Sequence, residues 1–128
     1  MKHSRLLLFI LLFMTSKAFA VNDLLILSDD PPKKLSEYNF FSNPINQLPS
    51  EQVVPYELIT ALFSDYTDKH RFVYVPNGMT AAYNDNEVLD FPLGTALIKT
   101  FSYQKADGGQ LLLETRLLLR KDNGWDAL

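Results

Sequence analysis

Polar and apolar residues follow no steady period in the first half of the chain and settle into short alternating runs in the second. Arg71-Phe72-Val73-Tyr74-Val75 is β-branched and aromatic, and Pro76-Asn77-Gly78 ends it in a turn, so it predicts a strand. Thr80 to Tyr83 and Glu87 to Phe91 predict two shorter strands, closed by Asn84-Asp85-Asn86 and Pro92-Leu93-Gly94. Thr95 to Tyr103 predicts a longer strand. Its Leu97, Phe101 and Tyr103 fall on one face, and Ala96, Ile98, Thr100 and Ser102 on the other. Asp107-Gly108-Gly109 is a hairpin-type turn, and Leu111 to Arg120 is expected as the next strand before Asp122-Asn123-Gly124 and Trp125.

Leu111 to Arg120 is the ambiguous run, because apart from Thr115 it lacks β-branched residues and is rich in helix formers. Closely spaced glycine turns on both sides favour a strand. That reading puts Glu114 and Arg116 on one face with Leu112 and Leu118, an ion pair in apolar surroundings.

Upstream, residues 21–55 read as an irregular leader with at most a short helix. Leu24 to Leu27 is apolar, Ser28-Asp29-Asp30-Pro31-Pro32 breaks regular structure, and Lys33 to Phe41 has room for one helical turn. Ser42 to Pro55 reads as an irregular connection, and Tyr56 to Phe63 as a loop or brief helix. Residues 56–128 are then a β-rich domain, and turn signals at this spacing favour a sandwich or barrel. The expected fold is mainly all-β: an incomplete β-sandwich-like domain after a signal peptide and an irregular N-terminal segment.

The signal peptide is expected over residues 1–20. Lys2, His3 and Arg5 form a basic start, Leu6 to Met14 an apolar run, and Ala18-Phe19-Ala20 a cleavage pattern. As a helix, nine apolar residues span about 13 Å, short of a hydrocarbon core of about 30 Å, so no stable membrane anchor is expected. Cleavage removes Lys2, Arg5 and Lys17, so 12 basic side chains fall to 9 against 15 acidic ones, and the net charge moves from −3 to −6. An acidic, periplasmic protein follows, and no nucleic-acid partner is expected of it. With no cysteine in 128 residues, disulfides, thiol nucleophiles, lipoprotein anchoring and cysteine-held haem or zinc are excluded within this chain.

Titratable groups are densest at Asp65-Tyr66-Thr67-Asp68-Lys69-His70-Arg71. A catalytic reading makes His70 a general base oriented by Asp65 or Asp68. The plainer one is a polar turn entering a strand, and no serine lies in a Gly-x-Ser-x-Gly elbow to supply a nucleophile. Asp85, Asn86, Glu87 and Asp90 offer oxygen atoms without the spacing of a calcium loop. The polar cluster carried forward is Asp65, Asp68, Lys69, His70, Arg71, Glu114 and Arg116, with no catalytic, cofactor or metal residue assigned. The many aromatic residues read first as core, and an exposed subset as a surface for sugars or a partner protein.

Several segments, read together and in order, resemble those of a known family. They are Lys34-Leu35-Ser36-Glu37-Tyr38-Asn39-Phe40-Phe41, Val54-Pro55-Tyr56-Glu57-Leu58, Leu62-Phe63-Ser64-Asp65-Tyr66 and Lys69-His70-Arg71-Phe72. Phe91-Pro92-Leu93-Gly94-Thr95, Ile98-Lys99-Thr100-Phe101 and Leu113-Glu114-Thr115-Arg116-Leu117-Leu118, running to Gly124-Trp125, complete the set. From about Lys33 onward the chain resembles the N-terminal, non-haem region of a family of exported bacterial di-haem c-type cytochromes. Similar segments also occur joined to sugar-dehydrogenase-like propellers. The resemblance implies that longer relatives continue past the Gly-Trp point into further β segments and Cys-x-x-Cys-His haem sites. This chain, which ends at Leu128, is expected to be truncated before the haem domain and to hold no cofactor itself; haem c is expected only in full-length relatives. The implied role is a non-catalytic module in periplasmic electron transfer, partnered by a downstream or separate haem domain or another periplasmic redox protein. The alternative is a free-standing periplasmic binding or interaction domain. An unpaired neighbour for Leu111 to Arg120 would leave an apolar edge, so non-specific self-association is expected as well.

Overall fold

The computed structural model describes residues 20–128, and the expected signal peptide lies, but for Ala20, outside the described residues. As expected, the fold is mainly β. A helix α1 (Asp23–Leu27) and a 3-10 turn (Leu35–Tyr38) lead into a two-stranded ribbon of β1 (Phe41–Asn43) and β2 (Leu48–Pro49). Five antiparallel strands follow in chain order across one sheet. They are β3 (Val53–Pro55), β4 (Asp68–Tyr74), β5 (Ala96–Gln104), β6 (Gln110–Lys121) and β7 (Gly124–Ala127).

The alternation of β5 sets up the architecture. Ala96, Ile98, Thr100 and Ser102 are fully buried while Leu97, Lys99 and Phe101 are half-buried, so the sheet has an inner and an outer face. Phe72 and Tyr74 of β4 and Leu117 and Leu119 of β6 join Ile98 and Ala96 on the inner face, as their register pairs require.

What closes this face is the segment read from sequence as an irregular leader. Ile26 of α1, Tyr38, Phe40 and Val53 are all buried in the same core cluster. Tyr38 stacks on Phe40 at 5.1 Å, Phe40 meets Tyr74 at 6.5 Å, and Phe41 packs edge-on to Phe72 at 5.1 Å. Residues 21–55 therefore supply part of the core, through Val21, Ile26, Tyr38, Phe40 and Val53, with β3 in the main sheet. Sequence pattern misses this because each piece is too short to show a period.

Leu111 to Arg120 is a strand, despite its helix-forming composition. Pairing along all of β5 and burial of Leu117 and Leu119 outweigh the small intrinsic preference. The hairpin turn holds as expected: Lys105 N–H bonds Gly109 C=O at 2.8 Å, with Gly108 at φ +81°. A bulge at Phe101/Ser102 places Glu114 opposite Phe101 but Leu112 opposite Ser102, so Leu113 is the extra residue. Leu112 consequently turns inward with Ser102, away from the face of Glu114, Arg116 and Leu118, where the simple alternation had put it.

Two expected strands do not form. Thr80 to Tyr83 and Glu87 to Phe91 meet only in a single bridge, Ala82 with Asp90, through bonds of 2.8 and 3.0 Å. Almost every residue from 79 to 90 is exposed, so no buried face rewards longer pairing. Conversely, β7 was read only as a turn followed by Trp125. It pairs with β6 through Leu118 to Lys121 after the two-residue loop Asp122-Asn123.

Candidate functional site

Strand geometry divides the expected polar cluster between two faces. Asp68 and His70 lie in register with Ser102 and Thr100 on the inner face, whereas Lys69 and Arg71 lie opposite Phe101 and Lys99 on the outer one. Asp65 sits in the exposed turn before β4, with φ +41°. His70 Nε2 and Ser102 Oγ share a hydrogen bond at 3.1 Å, and Thr100 and Thr115 hydroxyls meet at 2.8 Å beside it. Ser102 is fully buried, so its hydroxyl is not exposed as a nucleophile, and the contact with half-buried His70 satisfies polar groups on the inner face.

Glu114 and Arg116 do pair, at 2.5 Å, but in solvent: their side chains are 49% and 64% exposed. The apolar surroundings expected for them are absent at this part of the outer face, whereas nearer β4 the preceding loop covers it: Arg71 is buried and Lys69 Nζ donates to Leu62 C=O. At this exposure such a pair contributes little stability.

Its neighbours make the outer face unusual. Arg71 on β4 lies directly opposite Lys99 on β5, and Lys99 directly opposite Arg116 on β6, so three cations form one row across the sheet. One step along, Phe101 separates Lys69 from Glu114. Lys99 Nζ lies 4.6 Å and Arg116 Cζ 5.0 Å from the centre of the Phe101 ring, within cation–π reach. Arg71 is 6% exposed; its Nη1 donates to Lys69 C=O at 3.3 Å and lies 3.7 Å from Glu57. Burial holds the Lys99 ammonium below its ordinary pKa, aided by the charges of Arg71, Lys69 and Arg116, with Glu114 working the other way.

Beside this row runs an apolar stripe, in register from Val54 through Val73, Leu97 and Leu118 to Ala127. Tyr56, Leu97, Leu118 and Ala127 line a pocket of about 310 Å³, with Lys99 and Arg116 also in its wall. That is near the lower end for small-molecule sites, about 300–1,000 Å³.

Two other concavities flank the sheet. One of about 440 Å³ lies under the connection between β4 and β5, lined by Tyr83, Asn84, Glu87, Asp90, Arg120 and Trp125. Trp125 there packs edge-on to Phe91 at 6.1 Å with Arg120 over its ring. Of Asp85, Asn86, Glu87 and Asp90, only Glu87 and Asp90 border this open polar hollow, and no group of three or more potential metal ligands converges among the described residues. The other, about 380 Å³, gathers Glu57, Asp68, Lys69, His70 and Arg71 at the open edge of β4.

Sequence reasoning named Arg71, Glu114 and Arg116 and missed Lys99, Phe101 and Tyr56 as their neighbours. The hairpin turn was visible and pairs Gln104 with Gln110. Continued without a bulge, that register would set Lys99 against Thr115; the bulge sets it against Arg116, and no residue type at that point announces it. Compared with known proteins, the chain matches no family model, no curated protein and no solved structure.

Proposed function

We propose that this chain is a non-catalytic binding module that docks through the outer face of its sheet. The observation carrying this reading is the asymmetry of the sheet. The inner face is closed by the leader, while the outer face presents an apolar stripe, with Val54 56% and Leu118 41% exposed, beside three aligned cations. The resemblance noted above supports placing the module in an exported protein related to di-haem c-type cytochromes. There it would serve periplasmic electron transfer without haem of its own, next to a downstream or separate haem domain. The pocket on the outer face supports a second reading: a free-standing periplasmic binding domain.

Sequencing the gene through and beyond codon 128 separates the two. Coding capacity for Cys-x-x-Cys-His downstream supports the cytochrome-related module. A stop followed by no such capacity overturns it and leaves the free-standing binder. Recovery of the chain from the periplasm with Val21 as its first residue is expected in both cases, and retention in the cytoplasm would overturn both.

A further inference from the structure

We propose that the outer-face pocket is a binding site for a small amphiphilic carboxylate, with Lys99 and Arg116 holding the anionic head and Leu97, Leu118, Ala127 and Tyr56 the apolar body. The inference rests on the reading of the outer face as the binding surface and is indifferent to the electron-transfer role.

The charge pattern requires an explanation that the fold does not supply. Like charges directly opposite in a β ladder destabilise it, and here the arrangement occurs twice in succession. Four cations, Lys69, Arg71, Lys99 and Arg116, lie on this face, three of them beside Phe101; among the described residues the carboxylates paired with any of them are Glu57 and Glu114. The face is thus locally cationic in a chain whose net charge is −3. Lys99 makes no ion pair among the described residues and is held half-buried against its own solvation, so an oxyanion beside it replaces lost water and relieves the repulsion.

The apolar wall specifies the rest of the ligand. A bare inorganic anion would leave Leu97, Leu118 and Ala127 against water, whereas an alkyl or aryl body covers them. A volume of about 310 Å³ suits a small molecule rather than a folded partner.

Octanoate is the probe, with acetate as head alone and octanol as tail alone, titrated into the full chain and followed by backbone amide shifts. Octanoate is expected to move the resonances of Leu97, Lys99, Arg116 and Leu118 saturably, and acetate or octanol at least about tenfold more weakly. Lys99→Met is expected to weaken octanoate by about tenfold or more, while Lys99→Arg retains it and Lys33→Met leaves it unchanged. Amide dispersion like that of the parent chain checks that each variant is folded. Octanol binding as tightly as octanoate would overturn the carboxylate site while leaving an apolar docking face intact. Acetate binding as tightly as octanoate, or no octanoate shift at all in the folded chain, would also overturn it.

Discussion

Tyr74 Oη donates a hydrogen bond to Asp23 Oδ1 at 2.6 Å, tying the first helix to β4 across 51 residues of sequence. Tyr74 itself is 1% exposed, so this bond is how its hydroxyl is satisfied inside the core. Tyr74→Phe is expected to lower unfolding free energy by about 1 kcal/mol. Urea titration of the two proteins, with unchanged slope, measures it directly.

The same residue gives the fold an alkaline limit. Burial, first, and then the Asp23 bond and charge push the Tyr74 hydroxyl well above its ordinary value of 10.0. Burial raises Tyr38 in the same direction, against an opposing effect of Lys121. The folded state keeps these protons where the unfolded state releases them, so these two hydroxyls add no pH dependence below about pH 10 and lower stability as pH rises above it. Thermal midpoints taken between about pH 8 and 11 should fall less for Tyr74→Phe than for the parent.

Removing Phe40 tests whether the leader is part of the domain. Its ring is 1% exposed between Tyr38 and Tyr74, so Phe40→Ala should cost about 3–5 kcal/mol. A loss under about 1 kcal/mol in chemical unfolding would mean that the β-rich part stands without it.

Lys99 carries a trade-off between stability and binding. Lys99→Met removes one charge from the row and should raise stability by about 0.5 kcal/mol at low salt. The gain should shrink as salt screens the two repulsions that Lys99 makes in the parent, since the Debye length falls to about 3 Å at 1 M. Thermal melts of both proteins at low and high chloride read this difference.

Edge exposure predicts self-association. Strand β6 pairs with β7 only through Leu118 to Lys121, so on that side Leu111 to Arg116 has no strand neighbour among the described residues. Leu111 and Leu113 are exposed there, at 52% and 47%. Light scattering should show mass rising with concentration, and Leu113→Lys should suppress the rise.

The long elements were legible because their burial pattern is written in the residues. Ala96, Ile98, Thr100 and Ser102 alternate with Leu97, Lys99 and Phe101, and the structure buries the first set. What was not legible depends on contacts between distant short pieces. Ile26, Tyr38 and Phe40 become core only because a sheet lies beneath them, and no period within residues 21–40 shows that. The cation row has the same origin: Arg71, Lys99 and Arg116 are separated by 28 and 17 positions, and a one-residue bulge sets their alignment.

The contact between α1 and β6 also orders events during synthesis. Lys121 Nζ donates to Ser28 C=O at 2.5 Å, 93 residues away, and α1 packs on the strand that Lys121 ends. Helix α1 therefore waits for the end of β6 before it finds its place. Until residue 121 is made, Ile26, Tyr38 and Phe40 lack part of their cover, and the core stays open on that side.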